Sequence, residues 1–229
     1  MIDIVGTLTS LAHTRPIFHS EADFQHALAW RVHQLWPDYS VRLEFRPPEF
    51  TKRVHLDIWA IGHPSLAIEL KYKTRGLRAN VGGELFELRD QSAQDIGRYD
   101  FLNDVQRVEQ VVSSRRGVTG YAILLTNDSA YWRPPRSPGT IDAEFRIHQG
   151  RLVTGDLAWG AAASDGTMKG REAAIALRGS YALTWRDYSE PVRGRYGKFR
   201  YLLLTAQPGT HAHIAHEKPI TDRKEGSRL

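Results

Sequence analysis

The sequence contains no cysteine, which excludes disulfides, thiolate catalysis and cysteine-bound zinc or iron–sulfur centres. No apolar run approaches the roughly 20 residues that span a bilayer, and no charged-then-apolar secretion signal opens the chain. A G-x-S-x-G nucleophile elbow, a phosphate-binding Walker loop and a dinucleotide fingerprint are absent as well. We therefore expect a cytoplasmic protein without membrane contact, whose chemistry does not depend on sulfur.

The overall composition is that of a folded protein with a basic surplus. Of the 229 residues, 41% are hydrophobic and 25% are charged, which are ordinary values for a globular chain. The net charge of +5 and the pI near 9.5 permit a polyanionic partner such as nucleic acid. Many basic proteins bind no nucleic acid, so charge by itself only allows this function.

The most informative stretch is a predicted β-hairpin over residues 54–73. Apolar and polar residues alternate over 54–61 and again over 66–73, with a Gly–His–Pro–Ser turn between them. Glu69 and Lys71 are two residues apart, so they project from one face of the second strand. Asp57 lies in the middle of the first strand, among apolar residues. A bent hairpin would bring these three side chains together, and burying them is costly unless a partner such as a divalent metal is present.

A helix precedes this hairpin and carries a further carboxylate. Ser20 is a good N-cap, and the helical pattern that follows ends before Pro37. Glu21 lies three residues before Phe24 and seven before Leu28, so it points along the core-facing side of the first turn. Two interpretations are equally open: Glu21 joins the site, or it only complements the helix dipole.

Two segments after the hairpin carry candidate nucleic-acid contacts. Residues 74–83 read as a flexible, glycine-punctuated loop in which Arg75 and Arg78 are well placed to contact phosphates. The first part of the next predicted helix is polar and includes Gln94 and Arg98, so that end could line a site. A solvated loop and a solvated helix end would have the same composition.

The remaining pattern predicts a mixed α/β sheet. Three strands joined by short links indicate an antiparallel meander, and a helix followed by a buried strand indicates a crossover. The predicted elements are an apolar lead-in or short strand at 2–8, a strand at 41–45, a helix at 84–114, a buried strand at 121–126, and β-segments at 145–153, 174–188 and 199–205.

Other constellations in the sequence point to weaker alternatives. Trp132, with Arg133 and Arg136 in a proline-rich loop, could stack on and clamp single-stranded nucleic acid, although most such groups are ordinary surface loops. An H-x-H-x-x-H pattern over 211–216 has metal-compatible spacing, but a flexible histidine-bearing tail explains it better. For the central triad, the alternative is a solvent-exposed hairpin face held by cross-strand ion pairs.

The spacing of Asp57, eleven residues, Glu69, one residue and Lys71 resembles that of the PD-(D/E)xK nuclease superfamily. The order of predicted elements over residues 18–127 is similar too. The resemblance implies a restriction-endonuclease-like α/β fold with an α-β-β-β-α-β core. Leu56 stands where many members have proline, a substitution common within the superfamily.

The resemblance also implies the site chemistry. Asp57 and Glu69 would bind Mg²⁺, which Mn²⁺ could replace, with Glu21 assisting and the carbonyl of Leu70 as a further ligand. Lys71 would be the catalytic lysine that positions or activates the attacking water. Oxygen ligands suit a hard cation, which in turn activates water and neutralises charge on the phosphoryl oxygens.

We therefore expect a Mg²⁺-dependent nuclease that hydrolyses phosphodiester bonds in DNA, with a defence or restriction role as one setting. The domain would cover residues 1–206, with its core at 18–127, a β-rich extension at 140–206 and a flexible polar tail at 207–229. The alternatives are a non-catalytic nucleic-acid-binding or assembly module of the same fold, and a nuclease directed at RNA. A homodimer is the expected assembly if both strands of a duplex are cut.

Overall fold

The computed structural model describes residues 2–48, 50, 54–137 and 139–207, and most of the predicted tail therefore lies outside the described residues. Four helices and ten strands are present within these ranges, together with a short 3₁₀ turn at Ala143–Phe145. They are α1 (Ile4–Thr14), α2 (Glu21–Leu35), β1 (Ser40–Phe45), β2 (Leu56–Ile61), β3 (Ser65–Lys73), β4 (Leu77–Val81), β5 (Glu84–Leu88), α3 (Gln94–Ser114), β6 (Val118–Thr126), β7 (Leu152–Leu157), α4 (Asp165–Met168), β8 (Ile175–Ala182), β9 (Trp185–Ser189) and β10 (Phe199–Ala206).

A mixed six-stranded sheet, in the order β1-β2-β3-β6-β10-β9, forms the centre of the protein. Its neighbours are antiparallel except for β3 and β6, which are parallel. Parallel strands need a crossover, and here it contains the β4–β5 hairpin and α3. The predicted mixed α/β architecture is confirmed.

Helices cover both faces of the sheet. Successive side chains of β3 point alternately to the two faces and pack against different helices. Leu66, Ile68 and Leu70 pack with α1 and α2 in one core cluster, whereas Ala67 packs with α3 in another. The residues on the α3 side of β3 include Glu69, which is 2% exposed. The polar pair predicted on one face of this strand therefore points at α3 rather than at solvent. None of the described helices is long and apolar enough to cross a membrane.

The two N-terminal helices, α1 and α2, each begin at a residue whose side chain caps the first turn. In α2 the Ser20 side chain accepts a hydrogen bond from the Asp23 backbone N–H at 3.1 Å, which is the predicted N-cap. The predicted strand or lead-in at 2–8 is wrong, because this segment is the start of α1. There Asp3 caps the helix by accepting from the Gly6 N–H at 2.9 Å.

The predicted loop at 74–83 and the start of the predicted helix at 84 are also wrong. Leu77–Val81 and Glu84–Leu88 instead pair as an antiparallel hairpin. Gly82 and Gly83 form its two-residue turn, with φ of 62° and 89°. Positive φ at both positions matches the twist of the flanking strands, and glycine adopts it without steric cost.

The β-rich C-terminal region extends the main sheet only in part. β9 and β10 continue it beyond β6, whereas β7 and β8 form a separate two-stranded sheet. Glu109 on α3 fastens this small sheet by accepting hydrogen bonds from the Gly179 N–H and the Tyr181 hydroxyl, both at 2.7 Å. This region therefore packs against α3 and belongs to the same body as the core.

Candidate functional site

The candidate site lies where β2 separates from β3. Their backbone pairing ends at Ile68, and beyond that point β3 has N–H groups without a strand partner. The Leu70 N–H donates to Asp57 Oδ2 at 2.6 Å, and the Tyr72 N–H donates to Glu21 Oε2 at 2.8 Å. At this fork Asp57 and Glu21 thus accept the backbone hydrogen bonds that a neighbouring strand would accept. Each keeps its second carboxylate oxygen for another partner.

Two further ionisable groups come from α3, directly opposite the α3-facing side chains of β3. Lys71 Nζ lies 2.7 Å from Asp104 Oδ2 and 3.9 Å from Glu21 Oε1. Arg107 Nη1 lies 2.9 Å from Glu69 Oε1 and 3.1 Å from Asp104 Oδ1. We call the six groups the carboxylate cluster: Glu21, Asp57, Glu69, Lys71, Asp104 and Arg107. With all six ionised its formal charge is −2.

The buried carboxylates of this cluster resist ionisation. Burial raises the pKa of Glu69 well above its ordinary value; Asp104 and Asp57 add to this effect, and Arg107 opposes it. Burial likewise raises the pKa of Asp104 to about 6, although the cations Lys71 and Arg107 lower it. The attraction of the two cations therefore does not fully offset the free-energy cost of burying the ionised carboxylates in a low-dielectric environment.

Lys71 is held in its protonated form. Burial works against its charge, but the Asp104 and Glu21 carboxylates outweigh burial and leave the pKa of Lys71 above its ordinary value. An ammonium group that stays protonated at neutral pH cannot accept a proton from water. In this arrangement Lys71 is suited to orient a water molecule or offset negative charge, and not to act as a general base.

The oxygen donors of the cluster fit a hard divalent cation in chemical type. Asp57 and Glu69 each retain one carboxylate oxygen, and the Leu70 carbonyl accepts only a 3.1 Å hydrogen bond from Lys71 Nζ at the site. Among the described residues, however, no set of three acidic or histidine side chains is placed as a ready metal site. Lys71 and Arg107 supply the counter-charge in this arrangement, so a cation would have to displace part of their pairing.

Sequence reasoning missed Asp104, Arg107 and one neutral residue. Asp104 follows Phe101 by three positions, so it lies on the apolar stripe of α3, and a carboxylate on such a stripe is a signal that could have revealed it. Gln25 on α2 is 7% exposed and donates to the Asp57 carbonyl at 2.8 Å, which holds β2 at the fork. Asp57 is 32 positions away in the sequence, so nothing local indicates the contact.

Arg75 and Gln94, predicted to bind nucleic acid, both line one pocket at the end of β3. The Arg75 side chain also pairs with Asp90 at 3.1 Å. Gln94 donates to Asp128 Oδ2 at 2.8 Å, which fixes the start of α3 to the end of β6. The structure therefore brings these two residues together in one pocket.

Arg78 and Arg98 lie elsewhere. Arg78 is on the exposed β4–β5 hairpin, where it pairs with Glu87 at 3.1 Å. Arg98 is 3% exposed, and its guanidinium pairs with Asp142 at 2.6 Å. A guanidinium buried in this way is not presented to a ligand, so the prediction that Arg98 lines a binding site is not supported by its position. The helix end looked polar because it carries a buried ion pair.

Comparison with known proteins adds no assignment: no family model matches the chain, and no curated protein or solved structure does.

Proposed function

We propose that the protein is a metal-dependent nuclease of the PD-(D/E)xK type that hydrolyses phosphodiester bonds in DNA. The observation that carries this proposal is the carboxylate cluster at the fork between β2 and β3, with four carboxylates against two cations. An excess of carboxylates beside a protonated lysine is destabilising for the fold and useful for binding a cation.

The order of elements is consistent with this assignment. α2, β1, β2, β3, α3 and β6 follow the α-β-β-β-α-β order of a restriction-endonuclease-like core, with the β4–β5 hairpin inserted before α3. The candidate residues lie on the elements that this architecture uses: Glu21 on α2, the first helix of the core, Asp57 on β2, and Glu69 and Lys71 on β3. This agreement supports the fold assignment by analogy.

In the proposed mechanism Asp57 and Glu69 hold Mg²⁺ or Mn²⁺, with the Leu70 carbonyl and Glu21 as further donors. When bound, the cation supplies Lewis-acid stabilisation of the phosphoryl oxygens. Lys71 remains an ammonium group, orients the attacking water by donating hydrogen bonds, and offsets the charge that develops in the transition state. Asp104 is a positioning residue, since it holds Lys71 Nζ at 2.7 Å.

One observation favours the alternative, a non-catalytic nucleic-acid-binding or assembly module. Every member of the cluster already has a partner within the protein: Asp57 and Glu21 accept from β3 backbone N–H groups, Lys71 pairs with Asp104, and Arg107 pairs with Glu69. Such a network also suits a purely structural fork. Affinity for nucleic acid without cleavage in any divalent metal would favour this module.

The decisive experiment is cleavage of linear and supercoiled DNA, single-stranded DNA and RNA in Mg²⁺, Mn²⁺ or EDTA. Wild type is compared with Asp57→Asn and Lys71→Met. Lys73→Met serves as the matched control, because Lys73 lies on the same face of β3 and has no ion pair among the described residues. We expect metal-dependent cutting that both site variants lose and the control retains. No cutting by wild type on any substrate would overturn the proposal, and cutting of RNA alone would change the substrate.

The expected homodimer stays a prediction. Light scattering during size-exclusion chromatography, with and without duplex DNA, would measure the assembly directly.

A further inference from the structure

Two adjoining pockets lie at the ends of β3 and β6, beyond the carboxylate cluster. Their volumes are about 590 Å³ and about 420 Å³, and they share Ser129, Arg133 and Tyr196 as lining residues. We call them together the basic groove. Its charged lining residues are Arg75, Asp128, Arg133, Arg136, Arg146, Arg195, Lys198 and Arg200.

The charge of the basic groove is strongly one-sided. Seven of these eight lining residues are cations, and Asp128 is the single acid. Asp187 partly neutralises Lys198 and Arg200, at 2.8 and 2.9 Å. Arg75 pairs with Asp90 at 3.1 Å, and Arg146 pairs with Asp142 at 2.9 Å. By contrast, no acidic partner is found for Arg133, Arg136 or Arg195 within the described part of the chain. Three neighbouring guanidinium groups without counter-charges are a site for an anion with several phosphates.

Aromatic rings lie among these cations. Trp132 is half-buried, lines the larger pocket, and rests against Trp185 at a ring separation of 5.8 Å. The Tyr196 ring has the guanidinium of Arg195 at 4.7 Å and that of Arg75 at 5.3 Å. Arginines and aromatic rings interleaved along a groove are the combination that holds the backbone and bases of a single strand.

The groove is organised by a buried side chain. Asn127 is 2% exposed and stands directly after β6. Its amide oxygen accepts from the Arg75 N–H at 2.7 Å, and its amide nitrogen donates to the Tyr196 carbonyl at 2.9 Å. Tyr196 has φ of 65°, a conformation that a non-glycine residue adopts only when its surroundings impose it. The segments that carry Arg75 and Arg195 are therefore held in place before any ligand binds.

We propose that the basic groove binds an unpaired segment of the nucleic-acid substrate, with phosphates on Arg133, Arg136 and Arg195 and a base stacked on Trp132. This inference rests on the proposed nuclease function and specifies its substrate as nucleic acid with a single-stranded region. Arg75 is four residues beyond Lys71, which places the groove about 13 Å from the cluster along an extended chain. A strand seated in the groove reaches the cluster within a few nucleotides.

Duplex DNA suits this surface less well. In a duplex the bases are stacked on one another, so only phosphates would meet the basic groove. The Trp132 ring, which contacts Trp185 and the Arg200 guanidinium, would then have no base to stack on. An unpaired base offers a free π-face that can stack on an aromatic side chain. The presence of Trp132 inside a concave pocket, and not only cations on an open face, is what favours a single strand.

Fluorescence anisotropy in EDTA tests this inference without requiring catalysis. The probes are fluorescein-labelled oligonucleotides of one sequence, as a single strand, a blunt duplex and a duplex with an overhang. The variants are Trp132→Ala and the double change Arg133→Ala with Arg195→Ala, both exposed arginines. Trp30→Ala and Arg42→Ala are the matched controls, because both line a pocket beside β1 at the far side of the sheet.

We expect the single strand and the overhang to bind more tightly than the blunt duplex. Trp132→Ala should weaken single-strand binding about tenfold, and the arginine double change should lower the salt dependence by about 1.4 in the slope of log affinity against log salt. The controls should bind like wild type. Equal affinity for single strand and blunt duplex, or wild-type affinity in both groove variants, would overturn the inference.

Cleavage by the same proteins separates this inference from the proposed function. Single-strand binding that depends on the groove, without cleavage in any metal, removes the nuclease and keeps the groove. Metal-dependent cleavage that is unchanged in Trp132→Ala and in the arginine double variant keeps the nuclease and removes the groove. The arginine double variant guards against misfolding, since neither side chain has an ion pair among the described residues.

Discussion

Replacing Asp104 by asparagine should stabilise the metal-free protein at neutral pH. Asp104 is 3% exposed and has two cations within reach, Lys71 at 2.7 Å and Arg107 at 3.1 Å. A simple count of ion pairs would make it a stabilising residue. Burial nevertheless raises its pKa to about 6, from an ordinary value of 3.8, so the folded state favours the neutral form of Asp104 more than the unfolded chain does.

The sign and the size of the expected change in the free energy of unfolding follow from the raised pKa of Asp104. A carboxyl group whose pKa is higher in the folded state stabilises the fold at low pH, and that stability is lost as pH rises from 3.8 to about 6. The interval is about two pH units, each worth about 1.4 kcal/mol, which gives a loss of about 3 kcal/mol. Asparagine mimics the neutral form and does not titrate. The free energy of unfolding of Asp104→Asn should therefore exceed that of wild type by up to about 3 kcal/mol above pH 6, and the difference should shrink towards pH 4.

Urea unfolding in EDTA at several pH values between 4 and 8 measures this difference. Asp187→Asn is the control, because Asp187 also meets two cations, Lys198 and Arg200, but its side chain is 62% exposed. The hydrogen bond from Lys198 lowers the pKa of Asp187, so its contribution has the opposite sign: it is present at neutral pH and lost on acidification. If Asp104→Asn instead loses about 3–5 kcal/mol at pH 7, as a broken buried ion pair would, the reasoning is refuted.

Three further outcomes are expected. Mg²⁺ should raise the melting temperature of wild type but not of Asp57→Asn, as measured by thermal unfolding at pH 8; an equal rise in both would exclude Asp57 as a ligand. Arg98→Met should lower the free energy of unfolding by about 1.5–3 kcal/mol, because the buried Asp142 loses one of its two cations and keeps only Arg146 at 2.9 Å. The folded fraction should bind nucleic acid like wild type, and weaker binding would restore Arg98 as a contact. Gly120→Ala should cost about 1–3 kcal/mol in urea unfolding, since the added Cβ collides with Val108 of α3; a neutral effect would show that α3 can move away.

The sequence predicted those parts of the fold and site that depend on local rules. Alternation along β3 placed Glu69 and Lys71 on one face, and Ser20 marked the start of α2. It failed at the β4–β5 hairpin, where Gly82 and Gly83 were taken for a flexible loop although they form a tight turn. The alternation of Leu77, Ala79 and Val81 before that turn was the overlooked signal.

What sequence periodicity determined is the direction in which each side chain points; what the tertiary structure decided is which groups it meets there. Glu69 was predictable as a strand carboxylate, but Arg107, which pairs with it, is 38 residues away on another element. Arg98 had the composition of a surface residue until the fold brought Asp142 onto it. Local spacing follows from backbone geometry, whereas the partner of a buried charge depends on how distant elements pack. The charge balance of the carboxylate cluster, and with it the argument for function, is therefore a property of the folded chain.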